Sequence, residues 1–493
     1  LSASKSQKKG IVKMKIVFAA SEAAPFIKTG GLGDVAGALP DALSHQKGAE
    51  VLVFLPYYKS VKNNPDIKTE FLKSFAVSLS WRVQHVGVFR LKSKKKKHQV
   101  YFIDNEYYFG KDGAYGYADD GERFAYFSKA ILESLVQLGI TPDIIHANDW
   151  QTALIPVLLH AFYEEPLGGA KTVFTIHNME YQGKCDPYFI PDVLGLPESY
   201  TNTMIFGVYT NFMKSAILMS DAVTTVSHTY ADEIRYPYFA HGLASIISAH
   251  AFKLRGIVNG IDTKRYDPTT DPELSVPYDI ATYKDGKRAA KEALQRELGL
   301  PVRGDVPVIG IVSRLVEHKG MGLLCGLLDE LMRWDLQIAI VGTGDYAFEH
   351  DLSHVAYSHP DKLSVTLRFD QKLASRIYAA SDFYLMPSKS EPCGLSQLIA
   401  MRYGSVPIVH AIGGLRDTVE PWNPETGDGT GFTFQSFCAL DMIDAIRRAF
   451  TLYGTDKEAF SRLIENGMRR DSSWDVPAGE YRQLYNELRP DKA

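Results

Sequence analysis

The chain has 493 residues, and at about 150 residues per domain this length predicts two or three domains rather than one. The formal net charge is −4, which excludes a general electrostatic attraction to nucleic acid or anionic lipid. Any bound anion therefore requires a local site. Hydrophobic residues make up 45% and charged residues 23% of the chain, as in globular proteins, and this composition excludes a disordered polymer.

The four cysteines exclude a scaffold built on disulfides. They show no CxxC pair and no histidine at zinc spacing, so we expect no metal site, and either a reducing compartment or at most one disulfide bridge. No apolar run reaches the roughly 18 to 20 residues needed to cross a bilayer, which predicts a protein without a membrane span. The opening residues, LSASKSQKKG, are small, polar and basic. We expect residues 1–13 to form a disordered tail or the remainder of a processed targeting segment.

Short β-branched runs alternate with amphipathic helical windows along the chain, which predicts parallel sheets covered on both faces. The first set of predicted strands is at residues 14–21, 50–56, 99–104, 143–148, 172–177 and 222–227. The second set is at residues 306–313, 337–342, 364–369, 382–387 and 406–411. Three prolines between residues 268 and 277 mark a junction between the two sets. The pattern predicts an α/β fold with two doubly wound, Rossmann-like domains at 14–262 and 263–470, and a C-terminal helix at 471–493 that packs back.

A glycine-rich loop follows the first predicted strand. Lys28, Gly30, Gly31 and Gly33 lie where a helix begins, and such a loop cradles a phosphate or sugar phosphate. A purely structural glycine turn is the alternative. The spacing GGxGxxxG does not match the dinucleotide fingerprint, which argues against a Rossmann dehydrogenase.

Two further segments follow strands of the second set. Arg314 and Lys319 lie between a strand and the helix expected after Gly320, and two cations there suit a diphosphate. Alone they would be solvated loop cations, but a second anion loop in the same chain favours a phosphate held across an interdomain cleft. Glu391 precedes a helix expected at about Gly394, where a carboxylate accepts hydrogen bonds from sugar hydroxyls or simply faces a helix N-terminus. The simplest interpretation of the glycine turn VGTGD, at residues 341–345, is that its glycines allow the backbone to pack tightly.

Two segments of the first set combine polar and aromatic side chains. HANDW, residues 146–150, and TIHNMEYQGK, residues 175–184, both lie at the ends of predicted strands. Amides, carboxylates and aromatic rings together are typical of sugar sites, although a structural role is the simpler explanation for each histidine taken singly.

Six segments in this order resemble the starch synthases and bacterial glycogen synthases: KTGGLGDV (28–35), HANDW, TIHNMEYQG (175–183), IVNGID (257–262), SRLVEHKG (313–320) and SEPCGLSQLIAMRYG (390–404). The resemblance implies a GT-B fold, with two Rossmann-like domains facing a cleft. It also implies transfer of glucose from ADP-glucose to the non-reducing end of an α-1,4-glucan with retained configuration. UDP-glucose is the alternative donor, and a maltooligosaccharide the alternative acceptor. No cofactor, metal, nucleic acid or membrane is implied, and the sequence predicts no oligomeric state.

The resemblance also implies roles for individual residues. The catalytic residues would be His177, Arg314, Lys319 and Glu391. The donor-binding residues would be Lys28, Gly31, Gly33, Asp34, Asn259, Arg368, Phe369, Cys393, Gly394, Leu395, Ser396 and Gln397. The acceptor-binding residues would be Asp149, Trp150, Gln151 and Asn178.

Some positions depart from the family pattern. Ile399 stands where many GT-B enzymes carry a second glutamate that binds ribose, so ribose contacts must come from elsewhere. Segments at 211–227, 291–302 and 471–481 favour a granule-bound starch synthase that makes amylose in a plastid, on the granule or in the stroma. The alternatives are a bacterial-type glycogen synthase in the cytoplasm and a catalytically silent glucan-binding relative.

Overall fold

The computed structural model describes residues 13–93 and 96–492. Of the tail predicted at residues 1–13, all but Lys13 lies outside the described residues. The described chain divides into two compact units. The first contains the residues up to 226, then Ala231–Ile257, and those from 474 onward. The second contains Ser227–Tyr230 and Val258–Ser473. The domain limits predicted from the sequence stay a prediction.

The strands are β1 Met14–Ala19, β2 Ala49–Pro56, β3 Thr69–Leu79, β4 Arg82–Leu91, β5 Gln99–Asp104, β6 Ile144–Asn148, β7 Lys171–Ile176, β8 Lys184–Cys185, β9 Ile205–Phe206, β10 Tyr209–Asn211, β11 Ala222–Thr225, β12 Leu254–Gly256, β13 Val308–Val312, β14 Gln337–Val341, β15 Leu363–Thr366, β16 Phe383–Met386, β17 Val406–His410 and β18 Phe432–Phe434. The helices are α1 Gly31–His45, α2 Lys59–Lys62, α3 Glu106–Phe109, α4 Asp120–Gln137, α5 Ile155–Phe162, α6 Glu164–Leu167, α7 Thr201–Met204, α8 Phe212–Met219, α9 His228–Glu233, α10 Ala244–Ala249, α11 Tyr283–Glu297, α12 Met321–Cys325, α13 Leu328–Leu331, α14 Tyr346–Ser358, α15 Gln371–Ala380, α16 Ser396–Arg402, α17 Gly413–Thr418, α18 Ala439–Thr455, α19 Lys457–Arg469 and α20 Asp475–Leu488.

The first unit is built on a sheet with the order β12-β11-β7-β6-β1-β2-β5-β4-β3. Its strands from β12 to β5 are parallel, and β1 is buried except at Lys15, because its other side chains are apolar on both faces. The chain forms β2 to β5 on one side of β1 and then crosses to β6 on the other side. The order of strands therefore reverses between β1 and β6, and ligands of such sheets bind beyond the carboxyl ends of strands at that point.

An antiparallel hairpin, β3 and β4, extends one edge of this sheet. It was not among the predicted strands. Its alternation of buried and exposed residues is the pattern of a ribbon with one solvated face, whereas the prediction relied on continuous apolar runs. The short antiparallel sheet β8-β10-β9 was missed for a related reason, since strands of two or three residues carry little periodicity.

The second unit is built on a parallel sheet with the order β15-β14-β13-β16-β17-β18. Here the strand order reverses between β13 and β16. The predicted strands of both sets are found in the two sheets, so the prediction of two doubly wound, Rossmann-like α/β domains is confirmed. The strand predicted at 364–369 ends earlier, at Thr366, because the N–H of Arg368 turns back to the Thr366 carbonyl.

The C-terminal helix α20 belongs to the first unit and packs against α1. Tyr485 of α20 is fully buried, and its hydroxyl lies 2.7 Å from Nδ1 of His146 in β6. Nε2 of the same imidazole lies 2.6 Å from the Thr175 hydroxyl in β7. One buried imidazole thus joins the last helix to two adjacent strands.

In the described chain, no helix has the length and apolar composition needed to cross a membrane. The thiols of Cys185, Cys325, Cys393 and Cys438 are all free.

Candidate functional site

The strand reversal in the second unit brings two predicted site residues together. Lys319 follows β13 and Glu391 follows β16, so both lie at the carboxyl ends of adjacent strands. Lys319 Nζ donates a hydrogen bond of 2.6 Å to Glu391 Oε2. The Ser388 hydroxyl donates to the same oxygen at 3.0 Å. Glu391 is buried, with 6% of its surface exposed, so these donors compensate a carboxylate that has lost most of its water.

Gly320 explains why the Lys319 turn approaches β16 so closely. Its φ of +79° is in the left-handed region, which strains any residue with a side chain. A Cβ at this position would also lie 2.0 Å from the carbonyl oxygen of Pro387. The glycine therefore allows Lys319 to lie beside the loop that carries Glu391, and α12 begins at Met321, directly after the glycine as predicted.

A cavity of about 180 Å³ adjoins this ion pair. Its lining residues come from the ends of both strands and from the following turns, and include Ser313, Arg314, Lys319, Ser388, Glu391, Gly394 and Ser396. Arg314 is exposed, and its Nη2 lies 3.1 Å from Nε2 of His318. The cavity thus has two cations and one buried carboxylate at its walls, a mixture that suits an anion next to a polyhydroxyl group.

The loop after Glu391 is held by its own side chains. Gly394 has a φ of +72°, which delays the start of α16 to Ser396 rather than the predicted Gly394. The Gln397 amide donates to the carbonyls of Cys393 at 3.2 Å and Gly394 at 2.9 Å. Leu395 is the residue that precedes α16.

Cys393 and Asn259 meet behind this loop. The Cys393 thiol is buried, and burial raises its pKa to about 12, opposed by a hydrogen bond from the Asn259 backbone. A neutral thiol is a poor nucleophile, so this raised pKa does not favour a nucleophilic role for Cys393. Asn259 is buried as well, and in the described chain its Oδ1 has no hydrogen-bond partner.

Arg368 and Phe369 lie on the turn after β15. The Arg368 guanidinium pairs with Asp370 at 2.9 Å, and the Phe369 side chain is largely exposed, at 72%. An exposed ring at a strand's carboxyl end is available for stacking on a base.

The VGTGD turn, residues 341–345, serves tight packing, in agreement with its simplest interpretation. A Cβ at Gly342 would lie 1.8 Å from the Ser313 carbonyl oxygen.

In the first unit, the loop after β1 is organised by a buried carboxylate that the sequence analysis did not single out. Glu22 accepts hydrogen bonds from the backbone N–H and hydroxyl of Thr29, and burial raises its pKa. Lys28 Nζ pairs with Asp34 at 2.7 Å in the first turn of α1. A Cβ at Gly33 would lie 3.0 Å from Cγ of Lys28, whereas one at Gly31 would meet nothing within 4 Å. Gly33 therefore allows the loop to fold back on α1.

Asp149 and His177 lie at the carboxyl ends of β6 and β7. Asp149 has a φ of +56°, and its Oδ1 accepts the His177 backbone N–H at 2.7 Å. Burial raises the pKa of Asp149 to about 7, against the backbone hydrogen bonds that lower it. Burial also lowers the pKa of His177 to about 3, so its imidazole is neutral at pH 7. Its Nε2 donates to Asn148 Oδ1 at 3.0 Å, an orientation inferred from the amide's other bonds.

The other predicted acceptor residues are mainly enclosed. The Trp150 ring packs edge-on against Phe124 at 5.2 Å, and Gln151 is buried with an Oε1 that lacks a partner in the described residues. Asn178 Oδ1 accepts the Glu180 N–H at 2.9 Å. The structure thus joins the loop after β6 to the loop after β7, since the Asp149 carboxylate accepts hydrogen bonds from the backbone of His177 and Asn178.

Glu22 and Ser388 are the site residues that sequence reasoning missed. A glutamate shortly after a strand and ahead of a glycine-rich loop could have indicated Glu22. No comparable signal exists for Ser388, because its hydroxyl meets the Glu391 carboxylate only through the fold of the loop between them.

In the described residues no group of three or more His, Cys, Asp or Glu side chains could hold a metal ion.

Comparisons with known proteins identify the family of this chain. Residues 15–249 match the starch synthase catalytic domain, and residues 297–470 match glycosyl transferases group 1. Glycogen synthase from Ligilactobacillus salivarius is 46% identical over 96% of this chain and all of its own. The chain belongs to the starch and glycogen synthase family. Glycogen synthase from Exiguobacterium sibiricum is 47% identical over 97% of this chain and 99% of its own.

Among solved structures, the catalytic domain of starch synthase IV from Arabidopsis thaliana, bound to ADP and acarbose, is 35% identical with a TM-score of 0.89. The match covers 97% of this chain and 99% of that one. Its likeness, with the two sheets, confirms the GT-B fold class. The chain is therefore a glycosyltransferase of the glycogen and starch synthase type.

These comparisons correct part of the functional prediction. The curated relatives at 46% and 47% identity are bacterial glycogen synthases. They favour the glycogen synthase alternative over the granule-bound starch synthase and give no support to amylose as the product. The expected plastid location is wrong for the same reason.

Proposed function

We propose that this protein is a retaining glucosyltransferase of the bacterial glycogen synthase type. It would transfer glucose from ADP-glucose to the non-reducing end of an α-1,4-glucan. ADP in the structure of the starch synthase IV relative supports the choice of donor. The observation that carries the proposal is the cavity in which Arg314 and Lys319 adjoin the buried carboxylate of Glu391.

The chemistry of the leaving diphosphate explains why Arg314 and Lys319 would contribute to catalysis. Breaking the bond between glucose and the diphosphate develops negative charge on the phosphate oxygens. Fixed cations at that point stabilise the transition state more than the ground state, and such preorganised electrostatics is usually the largest catalytic contribution. Arg314 and Lys319 would bind the diphosphate, and residues 393–397 would bind phosphate and sugar groups beside it.

Glu391 is better suited to binding glucose hydroxyls than to attacking the anomeric carbon. Its Oε2 is held by Lys319 and Ser388. A retaining mechanism with a nucleophilic carboxylate needs a second carboxyl group across the sugar, and among the described residues that line the cavity Glu391 is the one carboxylate. We therefore propose same-face attack, in which the leaving phosphate oxygen takes the proton of the acceptor hydroxyl.

The remaining roles follow the family resemblance. Lys28, Gly31, Gly33, Asp34, Asn259, Arg368 and Phe369 would bind the donor, with Phe369 stacked on adenine. His177 would lie against the transferred glucose as a neutral hydrogen-bonding group, in accord with its lowered pKa. Asp149, Trp150, Gln151 and Asn178 would bind or support the acceptor.

Separate incubations with ADP-glucose and UDP-glucose, each with maltoheptaose, test the proposal. Chain extension with ADP-glucose, and slower extension with UDP-glucose, is the expected result. Faster extension with UDP-glucose would reverse the donor assignment. Absence of extension with either donor would contradict the glucosyltransferase activity and leave the silent glucan-binding relative.

A further inference from the structure

Residues 227–230 pack with the second unit, although the chain on both sides of them belongs to the first. Ser227 is completely buried. Its hydroxyl donates a hydrogen bond of 2.5 Å to the carbonyl of Pro392 and accepts the Tyr230 N–H at 3.2 Å. The second bond orients the hydroxyl, since a side chain that caps the first turn of α9 has little rotational freedom.

Thr229 makes a second attachment two residues further on. Its N–H and its hydroxyl donate to the two carboxylate oxygens of Asp417, at 2.9 and 2.5 Å. Asp417 lies on α17, whose Gly414 donates its N–H to the Glu391 carbonyl at 3.0 Å. A Cβ at Gly414 would lie 2.2 Å from the Cys393 carbonyl oxygen. Thr229 therefore holds a helix that lies directly against the Glu391 loop.

Three successive carbonyls of this loop are hydrogen-bonded. The Glu391 carbonyl accepts from Gly414, that of Pro392 from Ser227, and that of Cys393 from the Gln397 amide. Pro392 has no N–H, so its carbonyl is its one backbone hydrogen-bonding group. The donor for that carbonyl is not part of the loop but comes from a residue 165 positions away in sequence.

We propose that Ser227 and Thr229 are positioning residues that hold residues 391–393 and thereby direct the Glu391 carboxylate toward the transferred sugar. The inference rests on the proposed function. Neither side chain needs to contact substrate, because both act through the backbone on which Glu391 is carried. Small displacements of such a group are costly for catalysis, as a shift of about 1 Å can slow a reaction about 100-fold.

Ser227→Ala and Thr229→Val test the proposal, with Ser381→Ala as the matched control. Ser381 is also a completely buried serine of the second unit, and its hydroxyl donates to the Ile377 carbonyl at 2.7 Å. We expect kcat to fall about tenfold in S227A and about threefold in T229V, with the KM for glucan unchanged. Ser381→Ala should alter neither constant.

A double-mutant comparison separates positioning from general loss of stability. In a Glu391→Gln background, Ser227→Ala should lower kcat by less than about twofold, because residues acting through one group are not additive. An equal effect in both backgrounds, or a raised KM with kcat unchanged, would overturn the proposal. Thr229→Val keeps the comparison decisive if S227A does not fold.

Hydrogen exchange of the amides at residues 393–397 gives a readout that does not depend on turnover. These amides should exchange faster in S227A than in S381A, because the released loop opens more often. Equal exchange in the two variants would refute the positioning role. If the parent enzyme extends glucan with neither donor, the proposed function fails, while the exchange comparison still decides whether Ser227 fixes the loop.

Discussion

Lys319 has two possible partners, the Glu391 carboxylate and the diphosphate of the donor. If it stabilises the leaving diphosphate, Lys319→Ala should lower kcat about 10² to 10³-fold, as does removal of one preorganised donor in other enzymes. Glucan affinity should change less than about twofold, because the acceptor does not carry the developing charge. Lys372→Ala, which removes an exposed cation of the same unit, is the control. Transfer kinetics and a glucan-binding assay provide the two measurements, and equal loss of both properties would contradict the assignment.

Asp149 gives a pH dependence at the residue scale. Burial raises its pKa to about 7, so the ionised fraction falls as pH drops from about 8 to 6. Only the ionised form leaves both oxygens free to accept hydrogen bonds, and we therefore expect the KM for maltoheptaose to rise over this range. Asp149→Asn should weaken acceptor binding and remove this dependence. An unchanged pH profile in D149N would assign the titration to another group.

Helix α20 is attached to its sheet by the Tyr485 hydroxyl and the His146 imidazole. Tyr485→Phe leaves the buried Nδ1 of His146 without a partner, at an expected cost of about 1 to 3 kcal/mol in unfolding free energy. Thermal or denaturant unfolding measures this loss, and Tyr188→Phe, at an exposed tyrosine, is the control. A change no larger than that of the control would mean that the helix is held by its apolar contacts alone.

The same element also predicts a pH effect on stability. Burial lowers the pKa of His146 to about 3, below the value of about 6.5 in an unfolded chain. Between these values the unfolded state binds more protons, so this group lowers stability as pH falls below about 6.5. Unfolding free energies measured between pH 7 and pH 5 should decrease accordingly. A His146 ring that becomes protonated in the native state near pH 6, by NMR, would contradict the burial of this contact.

At the scale of the whole molecule, the sequence predicts the features that depend on continuous apolar segments and their order along the chain. Both parallel sheets were predictable because buried strands are continuous apolar segments, and Lys319 and Glu391 because each follows such a strand. The β3–β4 hairpin was missed because buried and exposed residues alternate along its strands, so neither strand is a continuous apolar run. Glu22, Ser388 and Ser227 were missed because their partners are chosen by tertiary folding, and a single serine leaves no pattern in the sequence. For the kind of synthase, three short segments favoured the granule-bound enzyme, whereas the relatives over the whole chain favour the glycogen synthase alternative.

The division of the chain into two units leads to a prediction about truncation. Residues from 474 onward pack with the first unit although they follow the second in sequence. A chain ending at Ser473 loses α20, including the buried residues Tyr481, Leu484 and Tyr485. Hydrogen exchange should then speed up in β1, β6 and β7, where His146 and its neighbours lose their cover, while β13 and β16 stay protected. A chain ending at Arg489, which keeps α20, is the control and should behave like the parent. Equal deprotection of both sheets would show that the units unfold together and that the last helix stabilises the molecule as a whole.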